Sequence, residues 1–221
     1  MKRMTCGLLA VPALLLGMGV HAADIPLYPT GPSEDSAFLR FVNGADSALQ
    51  LVADGSSARL ELEGRNDVSD YLPVPAGKAI KGTLSRNGTD VPFELSVAPG
   101  EFATVVALAD SANGIKQVVV REQPDDFNGL KASLAFFNTD PGCANATLRP
   151  AGRNADLFKD VAEGSLQRRS INPVSLSVEL VCANAIVGTP LDLGELKAGE
   201  RYSVLLLPGS HIVSATDKLS H

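Results

Sequence analysis

The chain repeats itself. Ala37-Phe-Leu-Arg-Phe-Val-Asn43 is echoed 95 residues later by Ala132-Ser-Leu-Ala-Phe-Phe-Asn138. Gly100-Glu-Phe-Ala-Thr-Val-Val106 is echoed 99 residues later by Gly199-Glu-Arg-Tyr-Ser-Val-Leu205. Two echoes in one order at nearly one offset describe a duplicated unit of roughly 95 residues. A chain of 221 residues holds two such units.

Each unit reads as β-structure. Ala37, Leu39 and Phe41 alternate onto one strand face, and Ala132, Leu134 and Phe136 do the same in the second unit. Arg40 falls on the opposite face, so its substitution is expected to cost far less than that of Phe41. Twenty valines, with 20 Gly and 14 Pro as punctuation, fit many short strands. Thr83–Arg86 and Thr89–Leu95 flank Asn87-Gly88, a pair that readily supplies the positive φ values of a type I′ hairpin turn. Pro73-Val-Pro75-Ala-Gly77 and Ala98-Pro-Gly100 read as breaks. Phe102–Leu108 and Tyr202–Leu207 are near-continuous apolar runs, expected as central strands. One helix is expected, over Ala155–Ala162, where Leu157, Phe158 and Val161 share a helical face. The fold class is therefore all-β, with two tandem small β-sandwich (Ig-like) domains.

The first residues read as an address. Lys2 and Arg3 precede an apolar run from Cys6 to Val20, and Val20-His21-Ala22 places small residues where a secretory signal is cleaved. Pro12 interrupts the run, which is short of the ~20 residues of a spanning helix. The expected division is a signal peptide over 1–22, a first sandwich over 23–121, a linker over 122–130 and a second sandwich over 131–221. Export predicts a periplasmic location and makes the remaining cysteines, Cys143 and Cys182, more often a disulfide than two thiols. A metal centre is not expected. The mature chain has only His211 and His221, and Asp125, Asp126 and Asn128 do not follow a calcium-loop spacing.

Cleavage removes Lys2 and Arg3 but no acid, so the net charge moves from −6 to −8. That balance argues against nucleic acid and against anionic membrane surfaces as partners. It also gives no long-range attraction to a polyanionic polysaccharide. Arg149, Arg153, Lys159, Arg168 and Arg169 could make a basic surface in the second unit, but Asp156, Asp160 and Glu163 interleave with them. A solvated mixed face is the commoner outcome.

Catalytic patterns are sparse. No Gly-x-Ser-x-Gly elbow occurs, and neither mature histidine has an Asp three residues before it. His211 follows Pro208-Gly209-Ser210, an expected turn, and His221 ends the chain. Acidic pairs abound, but nothing marks one for glycoside chemistry. No catalytic residue and no cofactor are expected.

Asp24-Ile-Pro-Leu-Tyr-Pro-Thr-Gly-Pro32, the Arg40–Asn43 strand and Arg169-Ser-Ile-Asn-Pro173 before a strand resemble, in that order, the AlgF family of alginate O-acetylation proteins. The resemblance implies a periplasmic accessory or adaptor protein. Its implied partners are a membrane O-acyltransferase and a periplasmic acetyltransferase, with at most weak polysaccharide contact. Cys143 and Cys182 depart from the family's pattern, which leaves cellulose beside alginate as the polymer. A stand-alone polysaccharide-binding module and a transferase subunit with its own chemistry are the alternatives. The candidate partner contacts are Tyr28, Pro29, Arg168, Arg169 and Asn172.

Overall fold

Alternating apolar residues and frequent turns produce sixteen strands and no helix among the described residues of the computed structural model, which are 36–64, 67–110, 114–123 and 128–220. The signal segment, Tyr28, Pro29, Asp125, Asp126 and His221 lie outside them.

Strands β1 (Ser36–Gly44), β2 (Leu49–Ala53), β3 (Arg59–Leu62), β4 (Leu72–Pro75), β5 (Ala79–Arg86), β6 (Thr89–Ser96), β7 (Phe102–Ala109) and β8 (Ile115–Glu122) form the first sandwich. Its two sheets run β4-β1-β7-β8 and β3-β2-β5-β6. The second sandwich comprises β9 (Ala132–Asn138), β10 (Asn145–Pro150), β11 (Phe158–Ala162), β12 (Ser165–Ile171), β13 (Val174–Cys182), β14 (Ala185–Leu196), β15 (Arg201–Leu207) and β16 (His211–Thr216). Its sheets run β12-β9-β15-β16 and β11-β10-β13-β14, the same orders shifted by eight strands. In each unit the first strand pairs parallel with the seventh, and even the register repeats. Asn43 faces Ala107 and Asn138 faces Leu206.

The repeated asparagine explains itself here. Asn43 Nδ2 donates to the carbonyls of Ser47 and Leu62, while its Oδ1 accepts from Ala45 N–H. Asn138 makes the corresponding bonds to Cys143, Val161 and Asp140. In both units one fully buried amide ties the loop after the first strand to the third strand. An aliphatic residue there would take a partner from three backbone groups, two of them buried in the first unit and all three in the second.

The Asn87-Gly88 turn forms as expected, with φ of 51° and 77°. The strand runs β7 and β15 are central. Pro73 and Pro75 do not break the chain but lie in β4, an edge strand, where a missing N–H leaves no ladder bond unmade. The expected helix over Ala155–Ala162 is instead strand β11. Ala146 pairs with Val161 and Leu148 with Phe158, so β11 carries one extra residue in a bulge, and Asp160 there has φ 52°. That bulge spaces two buried residues three apart, which imitates a helical face.

Three cores result. Leu39 and Phe41 pack between the first sandwich's sheets, and Leu134 and Phe136 between the second's. A third cluster, including Val42, Val106, Phe137 and Leu205, joins the back of sheet β4-β1-β7-β8 to the back of sheet β12-β9-β15-β16. The expectation for Arg40 is thereby overturned: its face meets another sheet rather than water, and the residue is 1% exposed. Cys143 and Cys182 form a disulfide within the second sandwich, with Cα atoms 5.5 Å apart.

Candidate functional site

Where the two inner sheets meet, polar side chains replace the apolar ones of the third core. Arg40 on β1 and Thr104 on β7 are paired neighbours, and Arg40 Nε donates to Thr104 Oγ1 at 2.9 Å. Across the junction Arg40 Nη1 meets Asp217 Oδ1 at 2.7 Å and Nη2 meets Ser203 Oγ at 2.9 Å. Its guanidinium lies 4.5 Å from the Tyr71 ring centre and 5.0 Å from that of Phe137. Each guanidinium nitrogen thus has a hydrogen-bond partner, and two rings lie close to the group.

Arg168, on β12, supplies the second cation. It grips Glu122 through Nε and Nη2, the latter at 3.1 Å, and Nη2 also reaches Asp217 Oδ2 at 2.8 Å. Asp217 is therefore shared by two arginines, and Glu122, the last residue of β8, is clasped from the second sandwich. Two guanidiniums balance two carboxylates, all with side chains at most 7% exposed. Burial pushes the Asp217 carboxyl up, but Arg40 and Arg168 more than reverse this and hold it below the usual carboxylate range. Burial raises the Tyr71 phenol despite the opposing pull of Arg40, so that ring stays protonated. The tail completes the joint: Tyr71 N–H donates to the Lys218 carbonyl and Ser220 N–H to the Tyr71 carbonyl, both at 2.8 Å.

Over this network opens a cavity of about 460 Å³, lined by Tyr71, Phe102, Arg201 and Leu219 as well as Glu122 and Arg168. Phe102 stacks on Phe38 at 4.6 Å and meets the Tyr71 edge at 5.0 Å. Arg201 reaches Glu122 at 3.5 Å. The arrangement orients and holds; it is poorly made for proton transfer. Ser203 Oγ donates to Asp217 Oδ1 at 2.6 Å, formally a hydroxyl beside a base. But Ser203 is fully buried, and a carboxylate held below its ordinary range is a weak base. His211 starts β16 rather than sitting in the turn, six residues before Asp217, about 20 Å along an extended strand. Among the described residues no cluster of three metal-ligating side chains occurs.

Of the described candidate contacts, the structure separates Arg168 from Arg169 and Asn172. Arg168 turns inward to the junction, whereas Arg169 points outward and donates to the Leu157 carbonyl at 2.6 Å. Asn172 is exposed and accepts from Lys131 Nζ. Arg149 is spent on Asp156 at 2.6 Å. Sequence reasoning missed Glu122, Asp217 and Tyr71. The available signal was that β7, β9 and β15 are apolar on both faces, which marks sheets covered on both sides.

The family model described as Alginate O-acetyl transferase AlgF matches residues 9–203. The Alginate biosynthesis protein AlgF of Pseudomonas putida is 29% identical over 188 residues, 85% of this chain and 80% of its own length. The protein of the same name from Pseudomonas aeruginosa is 30% identical over 176 residues, 76% and 73% of the two chains. Among solved structures, the C-terminal domain of AlgF from P. aeruginosa matches at 28% identity and a TM-score of 0.32, covering 40% of this chain and 98% of that one.

Proposed function

The chain belongs to the AlgF family of alginate O-acetylation proteins, and from that premise we propose that it is a non-catalytic periplasmic adaptor. It is exported on its signal peptide and holds a membrane O-acyltransferase and a periplasmic acetyltransferase together, so that acetyl groups reach a secreted polymer. The observation that carries this reading is the junction, whose charged groups are consumed in joining two sandwiches. A fixed pair of sandwiches presents loops at set separations, and tethering two enzymes turns a bimolecular encounter into one at high effective concentration. The polymer follows the relatives' names, alginate.

The test has two arms. The purified mature chain is assayed with a chromogenic acetate ester and with an acetylated-donor transfer assay. In parallel, a deletion strain is measured for acetyl content of both its alginate and its cellulose. We expect no turnover by the chain alone and a loss of alginate acetylation in cells. The exported His211→Ala/His221→Ala variant should restore acetylation in full. Ester turnover abolished by that double substitution would contradict the adaptor and revive a catalytic subunit; loss confined to cellulose would change the polymer.

A further inference from the structure

We propose that a groove on the second sandwich, between the β10–β11 loop and the β12–β13 turn, docks a partner-protein segment carrying an acidic side chain beside an aliphatic one. The proposal rests on the adaptor reading and adds the place and chemistry of the contact.

The groove encloses about 420 Å³. Leu157, Ile171 and Leu176 line it while packing on the sandwich core beneath, and Val174 is 46% exposed at its edge. Asn172, Ser175 and Ser177 also line it, so the groove pairs an aliphatic strip with hydrogen-bonding groups, and it holds no aromatic ring for a sugar to stack on. Arg153 lines the groove, and Arg169 is fixed beside it by its bond to the Leu157 carbonyl. Both are exposed, and neither is ion-paired among the described residues. Their basic neighbours differ: Arg149 is neutralised by Asp156, and Arg168 by Glu122 and Asp217. The Arg153 and Arg169 guanidiniums, with Lys131 bonded to Asn172 nearby, concentrate positive charge beside the aliphatic strip of a chain whose net charge is −6.

The extent of that positive charge selects the occupant. Screening limits the rim's field to about 8 Å at physiological salt. A short acidic segment fits within that reach, and its carboxylate can be met by an arginine fork. A long polyanion would extend past the reach of these cations, along a chain whose net charge is −6. The rim should act mainly on association, and the floor on dissociation.

The probe is the purified periplasmic O-acetyltransferase of the same organism, immobilised for surface plasmon resonance, with polymannuronate as a second probe. The analytes are the whole mature chain, Arg153→Glu/Arg169→Glu and Val174→Asp, each checked for an unchanged thermal midpoint. We expect the double charge reversal to weaken binding to the transferase by about tenfold or more, chiefly in association rate and with a flatter salt dependence. Val174→Asp should speed dissociation, and polymannuronate should give no saturable signal. Wild-type binding untouched by either variant removes the groove while leaving the adaptor reading intact. No wild-type binding removes both. Saturable polymannuronate binding lost in the same variants replaces the proposed occupant with the polymer.

Discussion

Arg40 and Asp217, 177 residues apart, meet at 2.7 Å with side chains 1% and 3% exposed, and they join the first strand of one sandwich to the tail of the other. Removing either partner leaves the other buried and undercompensated, which typically costs about 3–5 kcal/mol. Arg40→Ala and Asp217→Ala should each lower stability by that amount in urea unfolding. The double variant should cost distinctly less than their sum, because the two share one interaction. Strictly additive losses would mean that the pair is not coupled.

The same carboxylate sets an acid limit. Asp217 is held below its ordinary value, so its contribution is fully present above the unfolded value of about 3.9 and is lost as pH falls through the lower folded one. Asp217→Asn mimics the protonated side chain at every pH. The stability gap between wild type and Asp217→Asn should therefore be constant above about pH 5 and close progressively below about pH 4. A gap that widens with acid would reverse the assigned sign.

Equivalent corners of the two sandwiches are closed by different chemistry. Arg86, ending β5, donates to Asn43 Oδ1 and to the carbonyls of Ala107 and Leu108 at 2.8–3.0 Å. In the second sandwich the equivalent strand β13 ends at Cys182, bonded to Cys143, whose carbonyl receives Asn138. A loop with separation 39 corresponds to about 4 kcal/mol of chain entropy. Reduction, or Cys143→Ala/Cys182→Ala, should destabilise by up to that amount. Arg86→Leu should destabilise the first sandwich by leaving three buried acceptors short of donors, about 1–3 kcal/mol each at most. Equal unfolding of oxidised and reduced protein would remove the disulfide from this role.

Legibility followed the alternation of side chains. Leu39, Phe41, Leu134 and Phe136 were readable because each faces the interior of its own sandwich, and the repeat of Asn43 in Asn138 marked a position with a fixed hydrogen-bonding task. For Arg40 the alternation is insufficient, because a period of two says which face a residue takes, not what covers that face. Asp217 and Glu122 carry no pattern at all: Glu122 ends β8, Asp217 directly follows β16, and both acquire their roles only when the sheets stack back to back. The β11 bulge hid a strand for the opposite reason, since its pattern was clear and belonged to the wrong period.

Two small residues test the backbone in opposite directions. The β13–β14 turn runs through Ala183 and Asn184 at φ 48° and 64°, with Cys182 paired to Ala185. This is the geometry that Asn87-Gly88 fills in the first sandwich, and alanine is the costlier occupant because its Cβ crowds the backbone in the left-handed region. Ala183→Gly should stabilise the chain by about 0.5–1 kcal/mol, despite glycine's greater freedom when unfolded. Gly82, within β5, is the converse. A Cβ there would lie 2.5 Å from the Val52 carbonyl oxygen and 3.2 Å from Ala53 Cα, both backbone atoms of the neighbouring strand. Neither can rotate away, so Gly82→Ala must push β2 and β5 apart at a register of Ala53 opposite Gly82. The cost should resemble overpacking of a filled core, about 1–3 kcal/mol. Thermal unfolding of both variants measures the pair. A stabilised Gly82→Ala would mean that β2 yields freely there, and a destabilised Ala183→Gly would mean that the turn gains nothing from relief at this position.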